Sequence, residues 1–159
     1  MYLPLWIALA FIFVFVSLML YLLKYRPHRR IISFKGRLLH ESNKARRKHG
    51  VQPLGRTKLL DKLSAQHSKS MARRKHCDHS GFNHRANTVK KMTGLSSIAE
   101  NCYMFPAREY NFHVAHKLVE GWLKSPGHRV NLLNGEFKRT GIGICVKHGY
   151  VYATQIFSN

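Results

Sequence analysis

The segment from Trp122 to Leu133, with the sequence WLKSPGHRVNLL, constrains the fold of this chain more than any other stretch. It follows an amphipathic run that is typical of a helix, and Pro126 and Gly127 then force a turn. A polar pair, His128 and Arg129, comes next, although the end of a plain helix needs no such pair. The segment therefore predicts a helix that ends at a turn, with polar side chains directly behind it.

Two shorter motifs precede this segment, Cys77-Asp-His79-Ser80 and Ala99-Glu100-Asn101. In this order, the three motifs resemble the CAP superfamily, which groups cysteine-rich secretory proteins, insect antigen 5 and plant pathogenesis-related proteins. The resemblance is to the short prokaryotic members, whose signature is W-x-x-S-P-G-H-R-x-N-[IL]-[LI]. It covers roughly residues 38–158, nearly the whole part of the chain that follows the apolar N-terminus.

Hydrophobic periodicity predicts helices early in the chain and strands at its end. Three helices are predicted, one opening at Leu38 and ending near Lys48, one capped by Thr57, and one over residues 109–124. Strands are predicted at residues 98–105, 140–146 and 150–157, the last two forming a hairpin, while residues 77–97 indicate a long structured loop or broken helical turns. This order predicts an α+β fold. The resemblance implies an α-β-α sandwich with a small, three-stranded antiparallel sheet between helices.

The N-terminus is uncharged from Tyr2 to Leu23. About 20 apolar residues are enough to cross a bilayer, so we predict a single-pass transmembrane helix at residues 1–23. A cleaved signal peptide is the alternative, but the apolar run exceeds a typical signal core and no small-x-small cleavage site precedes Lys24. The predicted organisation is an anchor at 1–23, a basic linker at 24–35 and a CAP domain at 36–159.

Two observations imply opposite orientations of this anchor in the membrane. No Lys or Arg precedes the apolar run and several follow it, beginning with Lys24 and Arg26, so the positive-inside rule would keep the domain in the cytoplasm. The resemblance implies the opposite, because most of the family faces outward. We predict an extracytoplasmic domain at the cell membrane.

The chain has 27 Lys and Arg against 7 Asp and Glu, a formal net charge of +20. This excess favours acidic partners, either anionic lipid headgroups of the bilayer or an acidic polymer. Nucleic acid is disfavoured as a partner because no aromatic-studded basic repeat or nucleic-acid module accompanies the charge. Two local clusters, Arg46-Arg47-Lys48 and Arg73-Arg74-Lys75, are each predicted to lie solvated at a helix end, where cations complement the helix dipole.

The three cysteines are Cys77, Cys102 and Cys145. An odd number leaves at least one of them free or paired between chains. No C-x-x-C pair is present, so neither a zinc knuckle nor a thioredoxin-like site is predicted.

The resemblance implies a cavity built around His79, Glu100 and His128. In relatives that bind metal, the two histidines hold a divalent ion, often zinc, and the acid lies close by. Neutral imidazoles are good zinc ligands, and a site with few protein ligands leaves positions for water or substrate. Further residues are predicted to line or support the cavity: His67, Asn101, Ser125, Arg129, Asn131, Thr154 and Gln155.

Ser125 departs from the longer eukaryotic members of the family, which carry a second acid at this position. Two histidines and one carboxylate remain, whereas a catalytic zinc normally has three protein ligands. The leading hypothesis is therefore a membrane-anchored domain that binds a ligand beside the His-Glu cluster and is not an enzyme. The alternatives are a zinc-dependent hydrolase with Glu100 as general base, and a basic adaptor for anionic lipid or an acidic polymer.

Overall fold

The computed structural model describes residues 5–111 and 113–159 and divides the chain into two compact units, Met1–Ser33 and Phe34–Asn159. In the first unit the backbone is helical from Leu5 onward, as part of helix α1 (Leu5–Lys48). Most of the described large apolar side chains between Trp6 and Leu22 are exposed.

None of the helices in the described part of the chain is both long enough and apolar enough to cross a membrane. The anchor predicted at residues 1–23 therefore gains no support here, and its first four residues lie outside the described part. The segment predicted as a linker, residues 24–35, has a helical backbone, and its end belongs to the second unit, where Phe34 is buried.

The second unit combines helices with a four-stranded sheet, which confirms the predicted α+β class. Its helices after α1 are α2 (Lys58–Arg74), α3 (Phe82–Thr93), a 3-10 turn (Ala107–Glu109), α4 (Val114–Lys124) and α5 (Pro126–Leu133). Its strands are β1 (Gly55–Arg56), β2 (Ile98–Pro106), β3 (Arg139–Lys147) and β4 (Tyr150–Ser158), in the spatial order β1-β3-β4-β2. The predicted hairpin is confirmed, with antiparallel β3 and β4 joined through His148 (φ 53°) and Gly149 (φ 78°).

The sheet differs from the expected three-stranded antiparallel one because β1 adds a short parallel edge beside β3. The loop after α1 passes along β3, where the amide of Gly55 donates to the carbonyl of Lys138 at 2.9 Å and the amide of Thr57 donates to that of Thr140 at 3.0 Å. Thr57 then caps α2, as predicted, and its hydroxyl accepts from the amide of Leu60 at 3.3 Å.

Helices cover both faces of the sheet, and adjacent residues of β4 show this directly. Thr154 accepts a hydrogen bond from the Ser68 hydroxyl of α2 at 2.9 Å, whereas Gln155 accepts from the Ser42 hydroxyl of α1 at 3.2 Å. Because successive side chains of a strand point to opposite faces, α2 and α1 lie on opposite sides of the sheet. On the side of α1, the Trp122 indole of α4 is fully buried.

Helix α2 lies unusually close to β3, and two glycines permit it. A Cβ atom on Gly141 would overlap the backbone of Leu60, and one on Gly143 would overlap that of Ser64. The Ser64 hydroxyl also donates to the Gly141 carbonyl at 3.0 Å. This close approach fixes the height of α2 above the sheet, and with it the position of His67 on the next turn of the helix.

Two predicted segments of this unit also differ from the structure. Residues 77–97 contain a regular helix, α3, bounded by Gly81 (φ 77°) and Gly94 (φ 76°), where a loop or broken turns were expected. The third predicted helix begins later than expected, because the 3-10 turn at Ala107–Glu109 precedes α4, which starts at Val114. Phe112, within that predicted helix, lies outside the described residues.

Arg46 is fully buried, which corrects the prediction that its basic cluster is solvated. Its guanidinium donates to four backbone carbonyls, those of Gln52 (2.7 Å), Leu132 (2.8 Å), Asn134 (3.0 Å) and Phe137 (2.8 Å). Two of these carbonyls lie at the C-terminal end of α5, where a cation is favourable. Arg46 therefore ties α1 to the end of α5, while its neighbours Arg47 and Lys48 are exposed as expected.

Candidate functional site

A buried ion pair between Arg85 of α3 and Glu100 of β2 forms the centre of the site. Arg85 Nε donates to Glu100 Oε2 at 2.8 Å, and its Nη2 donates to Oε1 at 2.7 Å. Arg85 is 7% exposed and Glu100 is 4% exposed. This bidentate geometry engages both carboxylate oxygens and fixes the plane of the carboxylate.

His79 lies next to this pair, in the loop between α2 and α3. Its Nδ1 donates to Glu100 Oε1 at 2.9 Å, and half of its side chain is exposed. The hydrogen bond to Glu100 raises the pKa of His79, with burial opposing the rise. In the neutral ring the proton is therefore on Nδ1, which leaves the lone pair on Nε2 available to a ligand.

Opposing influences set the pKa of Glu100. Burial alone would raise it, but the hydrogen bonds from His79 and Arg85 and the surrounding positive charge hold it below the usual range. Glu100 is therefore ionised at neutral pH and accepts hydrogen bonds from its neighbours. A carboxylate in this state is a poor proton acceptor.

His67 of α2 lies beneath the ion pair and is 2% exposed. Its Nε2 donates to the carbonyl of Asp78 at 2.8 Å and lies 3.6 Å from Glu100 Oε1. Burial lowers the pKa of His67 and keeps the ring neutral. Its Nδ1 is one of two buried side-chain polar atoms without a partner among the described residues.

His67, Glu100 and Cys102 offer ligand atoms within 4.8 Å of one another. Their chemistry does not suit a metal ion in this arrangement. Arg85 engages both oxygens of Glu100. The ring nitrogen of His67 that faces Glu100, Nε2, carries a proton that it donates to the carbonyl of Asp78, so it has no lone pair for an ion in the cluster. Burial raises the pKa of the Cys102 thiol far above neutrality, whereas metal binding needs the thiolate. We interpret this cluster as the buried support of the site.

His128 reaches the site from the first turn of α5. Its ring centroid lies 6.4 Å from that of His79 and 6.5 Å from that of Trp122. Burial lowers the pKa of His128, and the charge of His79 lowers it further. Pro126 begins α5 directly after Ser125, so the turn predicted from the sequence is the junction between two helices.

Two asparagines hold α5 against β2. Asn101 Nδ2 donates to the carbonyl of His128 at 3.0 Å. Asn131 Nδ2 donates to Asn101 Oδ1 at 3.0 Å and lies 3.3 Å from the carbonyl of Glu100. These contacts place His128 beside His79, above the Arg85–Glu100 pair.

A surface groove of about 300 Å³ opens beside these side chains. It is lined by His79, Phe82, Ile98, Ala99, Glu100 and Asn131. The groove therefore has an apolar wall, formed by Phe82, Ile98 and Ala99, beside the exposed edge of His79 and the amide of Asn131.

The other predicted site residues lie apart from the groove. Thr154 is buried beneath the cluster, paired with Ser68 and opposite Cys102 in the sheet register. Gln155 is on the opposite face, bonded to Ser42. Ser125 joins α4 to α5, and Arg129 is exposed, with Nη1 3.5 Å from the carbonyl of Leu123. Their functional roles stay predictions.

Arg85 is the residue that sequence reasoning missed. An unpaired buried carboxylate is costly, and Arg85 is the cation that neutralises Glu100. Arg85 follows His79 closely in the chain, but the segment was not predicted to be helical. The glycines at both ends of α3, Gly81 and Gly94, were the available signal for a helix that would direct Arg85 toward Glu100.

His79 and His128 are the residues of this site that could hold a divalent ion, with ring centroids 6.4 Å apart. Histidine ligands of metals commonly donate their second ring N–H to a carboxylate, which fixes the tautomer and the orientation of the ring. The His79–Glu100 hydrogen bond has this form, and Arg85 in turn fixes the carboxylate. The side chains of His79 and His128 would then present one imidazole nitrogen each.

Comparison with known proteins agrees with this architecture. The model of the cysteine-rich secretory protein (CAP) family matches residues 39–157. The YkwD protein of Bacillus subtilis (strain 168), which is uncharacterized, is 24% identical over 126 residues, 79% of this chain and 47% of that protein.

Two solved structures share the fold. One is an extracellular protein with an SCP domain from Bacillus anthracis, with 26% identity, a TM-score of 0.61, and coverage of 79% of this chain and 40% of that one. The other is an outer surface protein from Borrelia burgdorferi, with 15% identity, a TM-score of 0.65, and coverage of 85% of this chain and 94% of that one. The chain thus spans less than half of the two Bacillus relatives. The family match over most of its length shows that this chain belongs to the cysteine-rich secretory protein (CAP) family, in the prokaryotic-type branch.

Proposed function

We propose that this domain is an extracytoplasmic binding module, which holds a divalent ion through His79 and His128 and takes a ligand in the adjacent groove. The observation that carries the proposal is the hydrogen bond from His79 Nδ1 to Glu100, a carboxylate that Arg85 already fixes. This chain of contacts orients one imidazole before any ion arrives.

Zinc is the ion proposed here, because neutral imidazoles are among its usual ligands. With two protein ligands, the ion would keep positions for water or for a polar group of the ligand. When bound, it would supply Lewis-acid coordination to that group. The apolar wall formed by Phe82 and Ile98 would hold the rest of the ligand.

Binding is favoured over hydrolysis by the state of Glu100. A general base must reach a water molecule, but Glu100 is 4% exposed and both of its oxygens already accept hydrogen bonds, from Arg85 on each oxygen and from His79 on Oε1. Its lowered pKa further weakens it as a base. Ser125 supplies no second carboxylate. A zinc-dependent hydrolase is therefore the weaker alternative.

We expect alanine substitution of His79 or of His128 to weaken zinc binding to the metal-free protein. Each change removes a ligand, so the loss should exceed the about 10–100-fold that removal of an outer-shell partner costs. Isothermal titration calorimetry in the presence of a competing chelator measures the zinc affinity. Alanine at His40, which is exposed on α1, is the matched control and should leave the affinity unchanged. Equal zinc affinity of the wild type and of a variant with alanine at both His79 and His128 would rule out this metal site.

Zinc affinity should also fall as the pH is lowered, starting above the ordinary pKa of histidine. A protonated imidazole cannot bind metal, so protons compete with the ion for both rings. In the metal-free protein, the hydrogen bond to Glu100 raises the pKa of His79 and burial lowers that of His128, so His79 should protonate first as the pH falls. Titration of the metal-free protein between pH 8 and pH 5.5 would show this order through the imidazole resonances of the two rings. Protonation of His128 before His79 would contradict it.

An extracytoplasmic location is supported by the two relatives described as an extracellular and an outer surface protein. On intact cells, we expect a membrane-impermeant thiol reagent to label the protein through Cys145, which is partly exposed. Cys102 is buried, and burial raises the pKa of Cys77 to about 11, so both should react slowly. Replacing Cys145 by serine should slow the labelling. Labelling only after lysis would place the domain in the cytoplasm.

A further inference from the structure

The outward face of α2 carries a line of cations that the site described above does not use. Lys58, Lys62, Lys69 and Arg73 are all exposed. Their positions follow helical i, i+4, i+11 and i+15 spacing, which places them on one face of α2. At 1.5 Å per residue, this basic stripe extends over roughly 22 Å.

The stripe has no acidic partners in the described part of the chain. Its neighbours do have them, since Arg56 pairs with Asp61 at 2.7 Å and Arg74 pairs with Asp78 at 2.7 Å. No acidic side chain among the described residues lies within salt-bridge distance of the four stripe cations. The charge of the stripe is therefore available to an external partner.

Helix stability does not explain the stripe. Lys58 is the first residue of α2, where the helix dipole disfavours a cation. Lys58 with Lys62, and Lys69 with Arg73, are like charges at i, i+4 spacing, which also destabilise a helix. Only Arg73, in the last turn, complements the dipole. These cations therefore destabilise the helix slightly, and no contact within the described part of the chain offsets that loss. This points to a function for this face of α2.

The end of β3 extends the stripe. Burial raises the pKa of the Cys145 thiol, and the positive charges of Lys69, Lys147 and Arg73 act against this rise. The same thiol therefore lies within electrostatic range of two stripe cations and of Lys147, which is exposed at the end of the strand. Positive charge is thus concentrated at the C-terminal half of α2.

We propose that the basic stripe of α2, together with Lys147, binds a linear polymer of phosphate groups that lies along the helix. The cations follow a line, which fits a chain of charges. The outward residue between the two pairs of cations, Gln66, is polar, and no exposed aromatic or large apolar side chain lies on α2. The face therefore offers neither a platform on which bases stack nor an apolar wedge for a lipid surface. Charge alone carries the recognition.

Binding of inorganic polyphosphate to the full chain tests this proposal. A stripe variant with glutamine at Lys62, Lys69 and Arg73 is compared with a control variant with glutamine at Lys90, Lys91 and Lys124, which are also exposed. Both variants lose the same net charge, and glutamine preserves helix propensity. Zinc affinity should match the wild type in both, which separates this test from that of the metal site.

We expect the stripe variant to bind polyphosphate more than about tenfold more weakly than the wild type, and the control variant to bind nearly as well as the wild type. A plot of log affinity against log salt concentration should become shallower by about 2 in slope. Each lost phosphate contact reduces the slope by about 0.7, and the variant loses three. Equal losses in the two variants would overturn the proposal, since net charge alone would then account for binding. Tighter, stripe-dependent binding to phosphatidylglycerol vesicles or to single-stranded DNA would also overturn it, in favour of a membrane or of nucleic acid.

Discussion

Alanine at Gly143 is expected to destabilise the domain by about 3 kcal/mol or more, at the upper end of the cost of overpacking. The added Cβ would overlap the carbonyl group of Ser64 in the backbone of α2. A backbone cannot rotate away as a side chain can, so α2 would have to rise from the sheet. Because His67 lies one turn further along α2, the same change should also disturb the support of Glu100.

The free energy of unfolding, measured by urea denaturation, would show this cost. Gly36 is the matched control, since it lies on α1 with no atom within 4 Å of an added Cβ. Alanine there should stabilise the protein by up to about 1 kcal/mol, because glycine is a poor helix former. A cost below about 1 kcal/mol at Gly143 would mean that α2 does not lie against β3 as closely as the structure has it.

The two glycines show how far the sequence predicts this fold. Alternating apolar residues and the turn at Gly149 predict the β3–β4 hairpin correctly, because both signals are local. Glycine inside a strand indicates that another backbone comes close, but it does not identify that backbone. The partner of Gly143 is Ser64, which is distant in sequence, so only the folded chain shows the contact.

Helix α3 was missed for a related reason. Of its residues, only Arg85 and Val89 are buried, so it has almost no apolar stripe from which a helix could be predicted. Arg46 was misinterpreted because a charged residue near a helix end is usually solvated. Three of the carbonyls that bind it come from the far end of the chain.

Only part of the candidate site could be predicted from the sequence. His79, Glu100 and His128 were identified through the family resemblance. The structure places His79 and Glu100 in the lining of one groove, with the ring centroid of His128 6.4 Å from that of His79. Strand alternation places Thr154 and Gln155 on opposite faces of the sheet, although both are predicted from the sequence to lie near the cavity. The ion pair with Arg85 depends on tertiary packing and had no local signal beyond two flanking glycines.

Replacing Arg85 by methionine is expected to cost about 3–5 kcal/mol of stability, the usual penalty for removing one partner of a buried ion pair. The change leaves the Glu100 carboxylate buried, with His79 as its remaining close cationic partner. Its cost should depend on pH in a defined direction. In the wild type the pKa of Glu100 is lowered, so its stabilising effect is present above the unfolded-state pKa and is lost as the pH falls through the folded-state pKa. The deficit of the variant should therefore be largest near neutrality and should shrink in acid.

Two comparisons separate this explanation from a general loss of packing. Methionine at Arg74 removes the exposed pair with Asp78 and should cost no more than about 1 kcal/mol. The double change of Arg85 to methionine and Glu100 to leucine removes the buried charge together with its partner. It should recover most of the stability lost in the single variant, because an apolar pair of similar volume often replaces a buried ion pair at little cost. A double variant as unstable as the single one, at every pH, would show that the cavity left by Arg85 causes the loss and that the charge of Glu100 does not.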